Sequence, residues 1–128
     1  MDPTITLLLV EDEPLIALAV QTALEDGGYA VISTPGGREA IAILDQRMDE
    51  IAGLITDIRL AEGPDGWEIA RHARELRADL PVVYVSGDSA GDWAAHGVPE
   101  SMIIQKPFAS AQIIAAISNL LVRTDSKL

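Results

Sequence analysis

Ile5-Thr6-Leu7-Leu8-Leu9-Val10, followed at once by Glu11-Asp12-Glu13-Pro14, is the stretch on which the fold turns. A short apolar run without polar alternation is a strand covered on both faces, as in a parallel sheet. Three acids then end it, and Pro14 sits where a proline opens the first turn of a helix. That helix carries Ile16, Val20 and Leu24 on one face, and Gly27-Gly28 supplies its stop.

The same alternation continues along the chain. Further strand-like runs rich in β-branched residues span Tyr29 to Ser33, Ile51 to Thr56, Val82 to Val85 and Met102 to Ile104. Helical periodicity runs from about Arg38 to Met48, with Ile41, Leu44 and Met48 on one face, and from Trp67 to about Ala78, with Ile69, Ala73 and Leu76 inward. Ala90 to His96 has room for a short, glycine-bounded helix, and Ser110 is expected to cap a stronger one carrying Ile113, Ile114, Ile117, Leu120 and Leu121. Five strands alternating with five helices through short connections predict right-handed crossovers and a doubly wound α/β domain with a parallel sheet.

The bulk composition agrees. The chain has 128 residues, 48% of them apolar but only 4% aromatic, so its core is built from Leu, Ile, Val and Ala. One domain over residues 1–128 is expected, with a core over 4–122, a frayed polar tail over 123–128 and no attached output domain. The formal charge of -11, with only Lys106 and Lys127 as lysines, argues against direct DNA binding, which needs clustered cations. The absence of cysteine excludes disulfides and thiolate metal sites. The first apolar run is too short to span a membrane and lacks the basic flank of a secretion signal, so a cytoplasmic location is expected. Ser126-Lys127-Leu128 matches a peroxisomal address and is read as coincidence.

In a parallel sheet the ligand site lies beyond the carboxyl ends of the strands. The first run ends in Glu11-Asp12-Glu13, the third in Asp57, the fourth in Ser86-Gly87-Asp88 and the fifth in Lys106-Pro107, so all meet on one edge. Glu11, Asp12 and Asp57 crowded together would repel one another unless a cation lay among them, and all-oxygen ligands suit Mg2+, with Mn2+ as an alternative. Lys106 is placed to pair with Asp57, Ser86 to donate a hydroxyl hydrogen bond to a phosphate, and Gly87 to leave it room.

In this order of an acidic pair, an aspartate, a serine and Lys-Pro, the chain resembles the receiver domain of two-component response regulators, over residues 4 to 122. The resemblance implies a flavodoxin-like strand order 2-1-3-4-5. It also implies that Glu11 and Asp12 bind metal together with Asp57 and the main-chain carbonyl of Arg59, and that Asp57 accepts the phosphoryl group. Ser86 and Lys106 would hold that group, and the Lys106-Pro107 peptide would be cis. The donor would be a phosphohistidine on a histidine kinase or phosphotransfer protein, or a small acyl phosphate. Arg59 and Asp88 would tune the phosphoryl lifetime. A downstream protein partner, no membrane, and a monomer or weak dimer complete the expectation. Two departures stand out: Ile103 occupies the place where an aromatic switch residue is common, with Trp93 as a substitute, and the loop after Asp57 has Ala61 where proline is frequent, with Pro64 displaced toward Gly66.

Plainer readings compete with these. Acids at a strand end often only favour a helix N-terminus. Arg71, Arg74 and Arg77 share a helix face and are expected to be solvated, balancing Glu68 and Glu75. His72 and His96 are expected at the surface and Trp67 in packing. Among rival functions, a Mg-dependent aspartyl phosphatase of the haloacid dehalogenase type needs a second aspartate two residues after the nucleophile, where this chain has Arg59. A flavodoxin-like cofactor carrier needs a Gly- and Ser-rich first loop, where this chain has Glu11-Asp12-Glu13. A degenerate receiver that acts only by binding is the remaining alternative.

Overall fold

The computed structural model describes residues 4–88 and 90–126. Five strands, β1 (Thr6–Val10), β2 (Ala30–Thr34), β3 (Gly53–Asp57), β4 (Val82–Ser86) and β5 (Met102–Gln105), form one parallel sheet in the order β2-β1-β3-β4-β5. Helices α1 (Pro14–Asp26), α2 (Gly37–Arg47), α3 (Gly66–Leu76), α4 (Trp93–His96) and α5 (Ser110–Ser126) connect and flank them. This is the doubly wound, flavodoxin-like architecture expected from the sequence.

The lack of polar alternation in β1 has a direct structural meaning. Leu7 and Leu9 point into a core shared with Val20 and Leu24 of α1 and Ile113, Ile117 and Leu120 of α5. Leu8 and Val10 point the opposite way, into a core with Ala40 and Leu44 of α2 and Ile69, Ala70 and Ala73 of α3. All four are buried, each contributing about 1.5–3 kcal/mol through removal from water. Because both faces are covered, the polar ends of the strands are the part of the sheet left for chemistry.

Several boundaries differ from expectation for identifiable reasons. The second and third strands begin later, and Met48–Glu50 forms a 3-10 turn ahead of Ile51 instead of extending α2. Ala90–Asp92 is likewise 3-10, leaving only Trp93–His96 as α4. α3 ends at Leu76 because Arg77 turns to an extended backbone (φ -150, ψ 106), and Leu76 is 44% exposed, not inward. Ser110 is the first residue of α5, not its cap; the side-chain oxygen of Gln112 accepts from the Ala109 N–H at 2.8 Å. α5 continues to Ser126, past Arg123 where the tail was expected to fray; Lys127 and Leu128, and with them most of the peroxisome-like ending, lie outside the described residues.

The arginines of α3 are also more than solvated charge. Arg74 donates to the carbonyls of Leu80 (2.7 Å) and Pro99 (2.6 Å), and Arg77 donates to the Ile51 carbonyl (3.1 Å) and Asp79. They satisfy loop carbonyls at the pole of the sheet opposite the acidic loop. His72 is half-buried and meets Asp45 of α2 at 2.6 Å, whereas His96 is exposed.

Candidate functional site

Parallel pairing sets the site's geometry. Val10 is in register with Thr34 and Thr56, and Asp57 with Val85, so Glu11, Asp57 and Ser86 reach the same edge at nearly the same height. The fifth strand delivers Lys106, whose backbone N–H donates to the Ser86 carbonyl at 2.7 Å. The Lys106-Pro107 peptide is cis.

Lys106 is the hub. Its ammonium lies 2.9 Å from Asp57 Oδ2, 3.4 Å from Glu11 Oε1 and 3.8 Å from Glu13 Oε1. Burial pulls its pKa down, but the hydrogen bond to Asp57 and the charges of Asp57, Glu11 and Glu13 outweigh this, leaving it above the ordinary lysine value. It is therefore a fixed cation throughout the physiological range.

One ammonium does not balance three carboxylates. Glu11, Asp12 and Asp57 each offer an oxygen, and these atoms lie within 4.8 Å of one another, close enough to share a small divalent cation. Glu11 and Asp57 are buried and Asp12 half-buried. Desolvation, with the Asp57 charge adding to it, raises the Glu11 pKa to about 7 despite the opposing hydrogen bond from the Glu13 N–H. The acids are also anchored to the backbone: Glu11 Oε2 accepts from the Glu13 N–H (3.1 Å) and Asp12 Oδ2 from the Ala61 N–H (3.0 Å). The residues present fit a Mg2+-type ion.

Glu13 is the N-cap of α1, but its side chain makes no capping hydrogen bond. It also lines the cleft beside Asp57. That cleft, of about 330 Å3, is bounded by Glu13, Asp57, Arg59, Ser86, Gly87, Asp88 and Lys106. Ser86 is buried, and its hydroxyl oxygen accepts from the Asp88 N–H at 3.2 Å. A Cβ on Gly87 would meet no protein atom within 4 Å, so the space there belongs to the cleft. Across the mouth, Arg59 and Asp88 form an exposed ion pair of 2.9 Å.

Two contributors have no clear sequence signal. Glu13 shares the acidic run with Glu11 and Asp12, and only its distance of 3.8 Å from Lys106 Nζ marks it as part of the site. Gly66 supports Asp57 from behind, because a Cβ there would lie 2.3 Å from the Asp57 carbonyl oxygen and 2.7 Å from Ile58 Cα. The packing of α3 against the end of β3 thus depends on a missing side chain, which a Gly-Trp pair in a sequence does not announce.

The doubly wound sheet thus gathers a carboxylate triad, a hydroxyl and a lysine at one carboxyl edge. The chain belongs to the response regulator receiver domain family, whose model matches residues 7–118. It is 29% identical over 119 residues to the response regulator SaeR of Staphylococcus aureus, a match covering 91% of this chain and 50% of that protein. The chain therefore spans about half the length of the curated relatives it matches. A response regulator receiver protein from Sinorhizobium medicae superimposes with a TM-score of 0.91 at 44% identity, over 94% of this chain and 97% of that one. A putative response regulator from Chloroflexus aurantiacus gives 0.82 at 26% identity, over 94% and 99%. The family is a signalling domain of two-component systems rather than a classical enzyme. No helix among the described residues is long and apolar enough to cross a membrane.

Proposed function

We propose that this chain is a phosphorylation-dependent switch in which Asp57 accepts a phosphoryl group from a phosphohistidine of a histidine kinase or phosphotransfer protein. The observation that carries this reading is the placement of Lys106 Nζ 2.9 Å from Asp57 Oδ2, in a cleft also lined by Ser86 and beside the Glu11–Asp12–Asp57 cluster.

Glu11, Asp12, Asp57 and the Arg59 main-chain carbonyl would hold Mg2+ or Mn2+. When bound, the ion supplies positive charge to the oxygens of the transferred group. The chain's own residues do the rest. A carboxylate oxygen of Asp57 forms the new O–P bond as the P–N bond of the donor breaks, and the imidazole nitrogen keeps the electron pair. Lys106, already paired with Asp57, shifts its hydrogen bonding toward the phosphoryl oxygens as their charge develops, and Ser86, in the same cleft, supplies a hydroxyl donor. Return to the resting state follows attack of water on phosphorus, which restores the Asp57 carboxylate and releases phosphate. Arg59 and Asp88, paired at the cleft that Asp57 lines, would hinder the approach of that water.

The phosphatase alternative lacks a proton donor, because the position that would carry it is Arg59, engaged with Asp88. With a net charge of -11 and the acids gathered round the site, this domain acts through a protein partner rather than by holding DNA itself. The same reading puts the chain in the cytoplasm, beside its phosphohistidine donor.

The test is incubation with acetyl phosphate, with and without Mg2+, followed by intact-mass measurement of the wild type and Asp57→Ala. The expected result is a gain of one phosphoryl group that requires both Mg2+ and Asp57. No gain in the wild type, with Mg2+ shown to bind, would leave a domain that acts by binding alone.

A further inference from the structure

The pole of the sheet opposite the acidic edge carries a second cleft, of about 390 Å3, between the end of α3, the turns that enter β4 and β5, and the last turns of α5. Ala78, Pro81, Pro99 and Leu120 give it an apolar floor, and two arginines border it, Arg74 from α3 and Arg123 from α5. An apolar concavity of this size with a few polar groups at its edge is the form small-molecule sites take.

Neither arginine is spent on an acid. Among the described residues, neither forms an ion pair with a carboxylate. Arg74 is half-buried, and its Nε and Nη1 donate to the carbonyls of Leu80 (2.7 Å) and Pro99 (2.6 Å). Those bonds pin the guanidinium to the two turns but bring it no negative charge. Burial outweighs the influence of Tyr84, Glu100 and Asp79 and pulls the Arg74 pKa below the ordinary arginine value, so a counter-anion here would relieve a desolvated cation. Arg123 stands exposed at the rim. Asp79 and Glu100 also border the cleft, but Asp79 is held by Arg77 at 3.3 Å. In a chain of formal charge -11, this is a place where arginines balance the acids and Arg77 tips the sum to positive.

The walls are fixed before any ligand arrives. Thr124 Oγ1 donates to the Leu120 carbonyl at 3.0 Å and reaches the Asp79 carbonyl at 3.5 Å, tying α5 to the turn before β4. Glu100 holds a left-handed backbone (φ 58), which a non-glycine residue keeps only where its surroundings enforce it.

We propose that this cleft binds a small organic anion, its carboxylate held by Arg74 and Arg123 and its apolar body laid on Pro81, Pro99 and Leu120. A planar carboxylate matches the guanidinium fork, and the floor favours a hydrophobic body over a bare inorganic ion. The site is separate from Asp57 and does not depend on its role.

The test is a titration of the full chain, labelled with 15N and kept in EDTA at constant ionic strength, with phenylacetate, acetate and inorganic phosphate as probes. Phenylacetate should give saturable amide shifts at Ala78, Glu100 and Thr124, and acetate and phosphate should bind more weakly. Arg123→Gln removes one charged donor and should lower phenylacetate affinity about tenfold or more. Arg38→Gln removes the same charge from an exposed position in α2 and should leave the affinity unchanged. Arg123→Lys keeps the charge without the planar fork, should also lose affinity, and decides alone if Arg123→Gln does not fold. Shifts that fail to saturate or that map elsewhere overturn the site, as does equal affinity in the Arg123 variants. Acetate or phosphate binding as tightly as phenylacetate overturns the assignment of its ligand.

Discussion

Lys106 Nζ and Asp57 Oδ2 are 2.9 Å apart although their residues are separated by 49 positions in the chain. Lys106→Ala removes the cation facing the acceptor and leaves Glu11 and Asp57 without their ammonium partner. Loss of one pre-positioned charged donor costs on the order of 100- to 1,000-fold in rate. Phosphorylation by acetyl phosphate, followed by intact mass over time, should slow by that order while Mg2+ binding survives.

Glu11, with a pKa near 7, makes metal binding pH-dependent. The ion binds the carboxylate form, so apparent Mg2+ affinity should rise by up to about tenfold per pH unit between pH 5 and 7 and level off above. In metal-free protein the native state binds this proton more tightly than the unfolded chain. Stability contributed by the neutral carboxyl is therefore complete below the ordinary glutamate pKa and lost as pH rises through about 7. Denaturation midpoints in EDTA should fall across that window, Mg2+ should reverse the fall, and Glu11→Gln should flatten it. A flat wild-type profile would contradict the burial argument.

The Arg59–Asp88 pair is exposed on both sides, so Arg59→Ala should alter folding stability by no more than about 0.5 kcal/mol. Its effect belongs to the cleft mouth. The phosphorylated form should lose its added mass several-fold faster once the approach to Asp57 is open, whereas an unchanged decay would show that the pair does not lie on the water's route.

Gly66→Ala places a methyl group into the Asp57 carbonyl and Ile58. Overpacking of this kind costs about 1–3 kcal/mol. The denaturant midpoint should fall accordingly, and phosphorylation should weaken in the fraction that remains folded, because the backbone carrying the acceptor has shifted.

The sheet and the acidic edge were legible in the sequence for one reason: apolar runs buried on both faces leave their polar residues only at the ends, and parallel pairing brings those ends together. Glu11, Asp12, Asp57, Ser86 and Lys106 could thus be placed from the residues that terminate the runs. Other features depended on contacts that spacing does not encode. Arg74 and Arg77 share a periodicity with solvated arginines, yet their carbonyl partners Leu80, Pro99 and Ile51 are set by loop geometry. Leu76 matched the apolar stripe of α3 and is exposed because the helix ends beneath it. Ser110 looked like a cap, but the Ala109 N–H finds its partner in Gln112.

Gly66 and Gly87 stand in contrasting surroundings at the two strand ends that build the site. Toward α3 the Asp57 backbone rests on an abutment with no slack, whereas a side chain started at Gly87, just past β4, would meet nothing within 4 Å. The tolerance for movement is thus unequally shared: the edge is walled behind Asp57 and open at the turn after β4.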